Sequence, residues 1–344
     1  MRKIKETKLA LSRQANDLNL VSENTDDEEV TAISPTSSIM SSTSSLLDPI
    51  ETASGLENLF DMFVYVDGRR FLKDIDSKCY LPCDEQEAYR TYKRHYLFRF
   101  IWKSNYSAPV LDELSFGARV LDVGCAEGTW LLNMAAEYPL STFVGVDISP
   151  VFPEVTQTNT AFLQCNALDG LPFPENTFDF VRQGFLIVSI DWQEWKDKLV
   201  KELVRVTKTG GYIEVMDLDI KYYRSGEICK QLASSVTDRF EQIGIKYNSS
   251  KDVLKAFGDL NDAVTVSPLE EKVHPLGSWA GKLGELSLEG NIEAYESLQA
   301  LLCPALKVTK EEYQQKLLDL SEEYNRCKTY LKTYRVFIRK NKNI

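Results

Sequence analysis

Two acids and a run of small residues between Asp122 and Asp147 could hold a cofactor. The stretch Arg119-Val-Leu-Asp-Val-Gly-Cys-Ala-Glu-Gly-Thr-Trp130 begins apolar, reaches Asp122, and opens into Gly124, Ala126 and Gly128. It resumes at helical spacing with Trp130, Leu131, Met134 and Ala135. That order predicts strand, tight turn, helix, with little side-chain bulk where a ligand must pass near the main chain. On this reading Gly124 and Gly128 are glycines because the backbone runs close to the cofactor. A second strand, Phe143 to Ser149, carries Asp147, which lies 19 positions beyond Gly128. An acid ~20 residues after such a loop is placed to hydrogen-bond ribose hydroxyls. A dinucleotide fingerprint starting at Gly124 needs glycine at 126 and 129, and the chain has Ala126 and Thr129 there. A nicotinamide oxidoreductase is therefore the weakest of the readings.

The frame Asp122-x-Gly124-x-Ala126-x-Gly128 resembles motif I of the class I S-adenosylmethionine (SAM) methyltransferases, where the middle position is usually glycine. Leu171-Pro-Phe-Pro-Glu-Asn-Thr-Phe-Asp-Phe-Val181 is similar to the segment joining strands three and four in that family. Together with Phe143-Val-Gly-Val-Asp-Ile-Ser-Pro150 and His274-Pro-Leu-Gly-Ser-Trp279, these phrases make residues 60–340 resemble a fungal group related to trans-aconitate methyltransferase and to LaeA-like methyltransferases. The resemblance implies an α/β fold with a Rossmann-like sheet of seven strands, the terminal one antiparallel. It also implies an N-terminal helical lid, a helical insertion before the last strand, and S-adenosyl-L-methionine as cofactor. The implied cofactor contacts are Asp122, Gly124, Cys125, Ala126, Gly128, Asp147, Ile148, Asn166, Ala167 and Gln183. Asn166 stands where the family usually has an Asp that bonds the adenine amino group; its amide can still bond a purine edge, without the charge.

The elements that must position these residues follow from local pattern. Residues 1–55 are acidic, then rich in serine and threonine, and are expected to be disordered; Ser34-Pro35 within them is an ordinary feature of such tails. Residues 56–344 form the methyltransferase-like domain: an N-terminal cap at 56–115, a cofactor-binding core at 116–220, and a C-terminal half with substrate-cap helices at 221–344. Asp67-Gly68 predicts a hairpin turn, and Asp84 with Glu87 predicts the start of a helix. That helix should pack Tyr89, Tyr92, Tyr96, Leu97, Phe100 and Ile101 inward and leave Arg90, Lys93, Arg94 and Arg99 in water. Strands are expected at 161–165, 178–181 and 212–217, with a helix at 192–207 stopped by Thr209-Gly-Gly211. Beyond Asp217 the pattern gives helices near 226–243, 291–303 and 310–330, strands near 264–273 and 332–339, and a capping box at Thr309 and Glu312.

A net charge of -11 argues against general affinity for nucleic-acid phosphates. Seven scattered cysteines without a Cys-x-x-Cys pair, and only two histidines, argue against a zinc site and for a reduced compartment, cytoplasmic with the nucleus also open. No apolar run is long enough to span a membrane. Methyl displacement from a sulfonium demands alignment and exclusion of water more than a strong base. His95, His274, Asp217 and Asp219 are the base candidates, although a lone histidine more often serves structure. Two readings lead. One is an enzyme methylating a small-molecule acceptor, placed above strands four and five near Gln183, Phe185, Asp217 and Asp219 and roofed by helix 84–103 and segment 274–279. The other is a LaeA-like regulator that uses the fold to bind a partner.

Overall fold

The computed structural model describes residues 62–73, 80–186, 188–247 and 249–343. The chain divides into residues 1–63 and 64–344, and the tail expected at 1–55, with Ser34-Pro35, lies outside the described residues. The Asp67-Gly68 turn joins β1 (Phe63–Val66) to β2 (Arg69–Leu72) as a hairpin.

Val120, Leu121 and Val123 are buried on both faces of a central strand, the signature of a parallel sheet covered by helices. This strand, β3 (Arg119–Val123), pairs parallel with β4 (Thr142–Asp147) and β6 (Phe178–Gly184). β5 (Thr160–Gln164) lies beyond β4, and β7 (Thr207–Tyr223) beyond β6, all parallel. The terminal strand, β10 (Tyr330–Lys340), runs antiparallel along β7. Its other edge takes β8 (Val264–Val266) and β9 (Glu270–Pro275). The sheet thus has eight strands in the expected Rossmann-like order rather than seven. The expected single strand at 264–273 is broken at Ser267-Pro268-Leu269, where proline lacks a ladder donor.

The helices cover both faces. Helices α1 (Glu85–Trp102), α2 (Leu111–Phe116) and α3 (Thr129–Glu137) lie on the N-terminal side. Leu114, Trp130, Leu131 and Met134 pack with Val120, Phe143 and Phe180 on one sheet face. On the other face, α4 (Trp192–Glu194), a π-helical turn (Trp195–Leu199) and α5 (Val200–Val206) contribute Leu199, Leu203 and Val206 against Leu121 and Ile213. Thr209-Gly210-Gly211 does not stop the helix ahead of the strand as expected; it lies inside β7, where Gly210 takes φ +86° beside a register shift opposite Phe178.

Between β7 and β10 the chain forms α6 (Glu227–Gln242), α7 (Ser250–Gly258), α8 (Gly281–Ser297), α9 (Gln299–Leu306) and α10 (Lys310–Cys327). The capping box at Thr309 and Glu312 is present. α7 went unread because its box, Ser249 with Asp252, uses the shorter acid. α8 begins ten residues earlier than expected, at Gly281 rather than 291. Its Gly284 lies against the Gly277 carbonyl, so a Cβ there would fall 2.0 Å from that oxygen. Buried Tyr313, Tyr324, Leu317 and Phe240 give these helices a core of their own.

Gly128 carries the turn into α3 at φ +75°, and a Cβ on it would fall 2.4 Å from the Phe162 ring. Its glycine is therefore required by the protein's own packing, whatever a bound cofactor asks of it. Gly128→Ala should lose about 1–3 kcal/mol in urea unfolding from overpacking and backbone strain. Adding Phe162→Leu should recover part of that loss, and an unchanged midpoint in the single variant would contradict the clash.

Candidate functional site

Asp84 caps α1 by accepting from the Glu87 amide at 3.0 Å, and the Arg69 guanidinium grips the same carboxylate at 2.6 and 2.9 Å. The helix is thereby set across the carboxyl ends of β3, β4 and β6, with Glu87, Arg90, Thr91 and Arg94 facing a pocket there. The solvated basic face expected of this helix is inverted. Arg90 is only 8% exposed and ion-paired to Glu87, whereas Phe100 is 47% exposed. Lys93 pairs with Glu289 and Glu293 of α8, and Arg99 donates to Asn133 at 2.7 Å. Arg94 lies 4.4 Å over the Phe185 ring. Periodicity counted apolar residues and overlooked that Glu87, one turn before Arg90, makes burial of the guanidinium affordable.

The pocket floor is the loop after β3. The Gly124 and Cys125 amides both donate to the Val146 carbonyl, at 2.9 and 3.1 Å. The Ala126 amide donates to one oxygen of Asp147 and the Ser149 amide to the other, each at 2.9 Å. Burial raises the Asp147 carboxyl above its usual range, partly offset by these amides. Gly124 takes φ +74°, and Ala126 takes φ +49°, a left-handed conformation costly for a residue with a Cβ. Next to them is a group the sequence reading passed over. Glu127 is partly buried, accepts from Thr91 and Thr129 hydroxyls at 2.7 Å each, and its carboxyl is pushed up by desolvation.

Of the ten residues expected at a cofactor, the pocket gathers Gly124, Ala126, Asp147, Ile148, Asn166 and Ala167. Asn166 spends its side-chain oxygen on the Leu168 amide at 3.1 Å, capping a short 3-10 turn. The other four lie off the lining. Asp122 is buried in an ion pair with Arg182 at 2.8 Å. Cys125 is a buried free thiol raised well above its usual pKa by burial, and Gly128 sits under Phe162. Gln183 accepts from the Trp195 indole at 2.8 Å and borders a separate small cavity shared with Asp217 and Tyr334. Cys165, on the pocket wall, is pushed up to about 11 by burial and by Asp147.

None of the four base candidates lines the pocket. Asp217 is 2% exposed beside Tyr334, and Asp219 accepts from the Ser250 amide and hydroxyl at 2.9 and 3.1 Å. Burial, reinforced by Arg182 and Arg99, pulls His95 down to about 3, and burial pulls His274 down to about 4. His274 packs edge-on against Phe98, with ring centroids 5.0 Å apart. The segment His274-Pro-Leu-Gly-Ser-Trp279 is likewise away from the lining: Leu276 enters the C-terminal helical core, and Asn325 accepts from the Ser278 amide at 2.7 Å. Only α1 of the two expected roofs faces the pocket.

Among the described residues, no helix is long and apolar enough to cross a membrane, and no group of three or more His, Cys, Asp or Glu could hold a metal ion.

Residues 120–211 match a family described as a methyltransferase domain. The secondary metabolism regulator LAE1 of Cochliobolus heterostrophus is 27% identical over 174 residues, covering 49% of this chain and 56% of that protein. The N-methyltransferase tcpN of Claviceps purpurea is 32% identical over 134 residues, covering 37% and 45%. The N-methyltransferase sirN of Leptosphaeria maculans is 27% identical over 216 residues, covering 62% and 68%. The chain thus spans about half the length of the first two of these relatives.

Two outcomes follow from this geometry. Ala126→Gly should stabilise the chain by about 1 kcal/mol in urea unfolding, because glycine enters the left-handed region freely; a destabilised variant would mean that the Ala126 methyl is packed. The second concerns acid. The folded chain holds His274 and His95 below the ordinary value of 6.5, so the unfolded chain binds protons first. Stability should therefore fall as pH drops from about 6.5 towards about 4, by at most about 1.4 kcal/mol per pH unit for each histidine. Urea midpoints compared near neutrality and about two pH units lower should drop less in His274→Leu than in the parent chain; equal drops would remove His274 from the account.

Proposed function

We propose that this chain is a class I S-adenosylmethionine-dependent methyltransferase that transfers a methyl group from SAM to a small-molecule acceptor. The observation that carries the reading is the pocket itself. It lies at the carboxyl ends of the parallel strands, where open α/β sheets bind ligands, and brings the Gly124 to Ala126 loop and Asp147 to one wall. The match to a methyltransferase domain and the two N-methyltransferase relatives support the chemistry.

The residues present fit SAM. Gly124 and Ala126 put bare backbone at the pocket wall, Asp147 keeps lone pairs beyond those its two amides use, and Ile148 and Leu168 offer apolar surface for a purine. When bound, SAM supplies an electrophilic methyl on a sulfonium. Asp147 would hold the ribose hydroxyls, and Asn166, with its amide nitrogen still free to donate, would meet the purine edge. The acidic lining, with Glu127 and Asp147 near the loop, favours a cationic ligand over a polyanion. α1 would shut water out from above. With His95, His274, Asp217 and Asp219 all turned elsewhere, alignment of the acceptor carries the rate.

The regulator relative LAE1 keeps partner binding as the second reading. An open pocket at the strand ends favours the enzyme. Calorimetric titration with S-adenosylhomocysteine, SAM and NAD, followed by a screen of cell extracts for S-adenosylhomocysteine release, tests it; binding of the first two without turnover on any fraction would favour the regulator. Asp147→Ala should weaken S-adenosylhomocysteine binding by about ten- to a hundredfold, the loss of charge-assisted hydrogen bonds worth about 1.5–3 kcal/mol. Unchanged affinity in a folded Asp147→Ala chain would defeat the assignment.

A further inference from the structure

The charges on the pocket wall are almost all satisfied within the protein. Glu87 and Arg90 neutralise each other, and the Ser297 hydroxyl donates to Glu87 at 2.8 Å. Asp84 is held by Arg69, Asp147 by two backbone amides, and Glu127 by two hydroxyls. Arg94 differs. It lines the pocket and stacks over Phe185, and among the described residues it makes no ion pair and no hydrogen bond. Burial, with Arg90 one turn away, lowers its pKa to about 10, so it stays charged at neutral pH. A guanidinium turned into a pocket with its five donors unused by the protein is a ready partner for a bound anion.

We infer that Arg94 is a receptor for a carboxylate carried by a ligand of this pocket. A carboxylate is favoured over a phosphate for two reasons. The guanidinium fork takes a carboxylate through two parallel hydrogen bonds, and one cation balances one negative charge. A dianion would also face Glu87, Glu127 and Asp147 across the same small space, with only Arg94 left unpaired to oppose them. The Phe185 ring, 4.4 Å from the guanidinium carbon, backs the cation on one side. The inference rests on the methyl-donor reading for its two sources of carboxylate: the amino-acid end of the cofactor and the acceptor.

Arg94→Gln and Arg94→Met, which remove the charge and, within the protein, only its contact with the Phe185 ring, separate the sources. Calorimetry compares S-adenosylhomocysteine with 5′-methylthioadenosine, which keeps the nucleoside and lacks the amino-acid end. If the cofactor's carboxylate is the ligand, both variants lose about ten- to a hundredfold for S-adenosylhomocysteine and nothing for 5′-methylthioadenosine. If the acceptor's is, both nucleosides bind as before, and benzoate, the probe, raises the melting temperature of the S-adenosylhomocysteine-loaded parent chain but not of the variants. Arg94→Lys, a cation without the fork, should fall between. The inference is overturned if parent and variants match in both arms, or if the variants weaken both nucleosides alike, since that loss needs no carboxylate. Should the parent chain bind neither nucleoside, the methyl-donor reading fails by itself, and the benzoate comparison on the free protein decides Arg94 alone.

Discussion

The two oxygens of Asp147 accept from the Ala126 and Ser149 amides, one each, and this single carboxylate joins the loop after β3 to the loop after β4. The Gly124 and Cys125 amides tie the first loop to the Val146 carbonyl as well, but only the carboxylate links it onward to Ser149 in the second. The cost is visible nearby. Ala126 is held in a left-handed conformation and Asp147 is buried enough to raise its carboxyl. Local strain of about 1–3 kcal/mol persists only where surroundings over-determine it, and binding sites are where it collects.

From that floor outward, the site is built by covering it. α1 is anchored at its start by Asp84 and Arg69 and at its end by Trp102, whose indole donates to Thr333 of β10 at 3.0 Å. Arg335 stacks 4.6 Å from the Trp102 ring, so the terminal antiparallel strand fixes the far end of the helix that roofs the pocket. This link explains why the sheet edge, although remote from the floor, matters to the site. It also explains how a helix can bury Glu87 and Arg90 and turn Arg94 to the pocket in one stretch: both ends are tied, and the charges meet partners or the pocket.

A core that matches a methyltransferase domain over residues 120–211 is joined to an extended C-terminal half whose helices form their own hydrophobic centre around Tyr313 and Tyr324. That half touches the site through Lys93, which pairs with Glu289 and Glu293, and through Ser297, which donates to Glu87. The C-terminal helices therefore set the position of α1 more than they supply lining of their own.

The sequence by itself determined the sheet strands, the tight loop, the position of Asp147 and the N-cap of α1, because each depends on residues adjacent in the chain: apolar runs, glycine spacing and capping acids. Gly124, Ala126, Asp147, Ile148, Asn166 and Ala167 were legible as pocket residues for the same reason, since strand ends in this topology converge on one side. Only the tertiary structure decided which way side chains face. It turned Gln183 to Trp195 and Asp122 to Arg182, buried His274, and brought Glu127 to Thr91, a residue 36 positions earlier. It also drew Arg90 and Arg94 inward. Charge in sequence reads as exposure, and burial of a charge depends on partners or ligands that only three-dimensional proximity supplies.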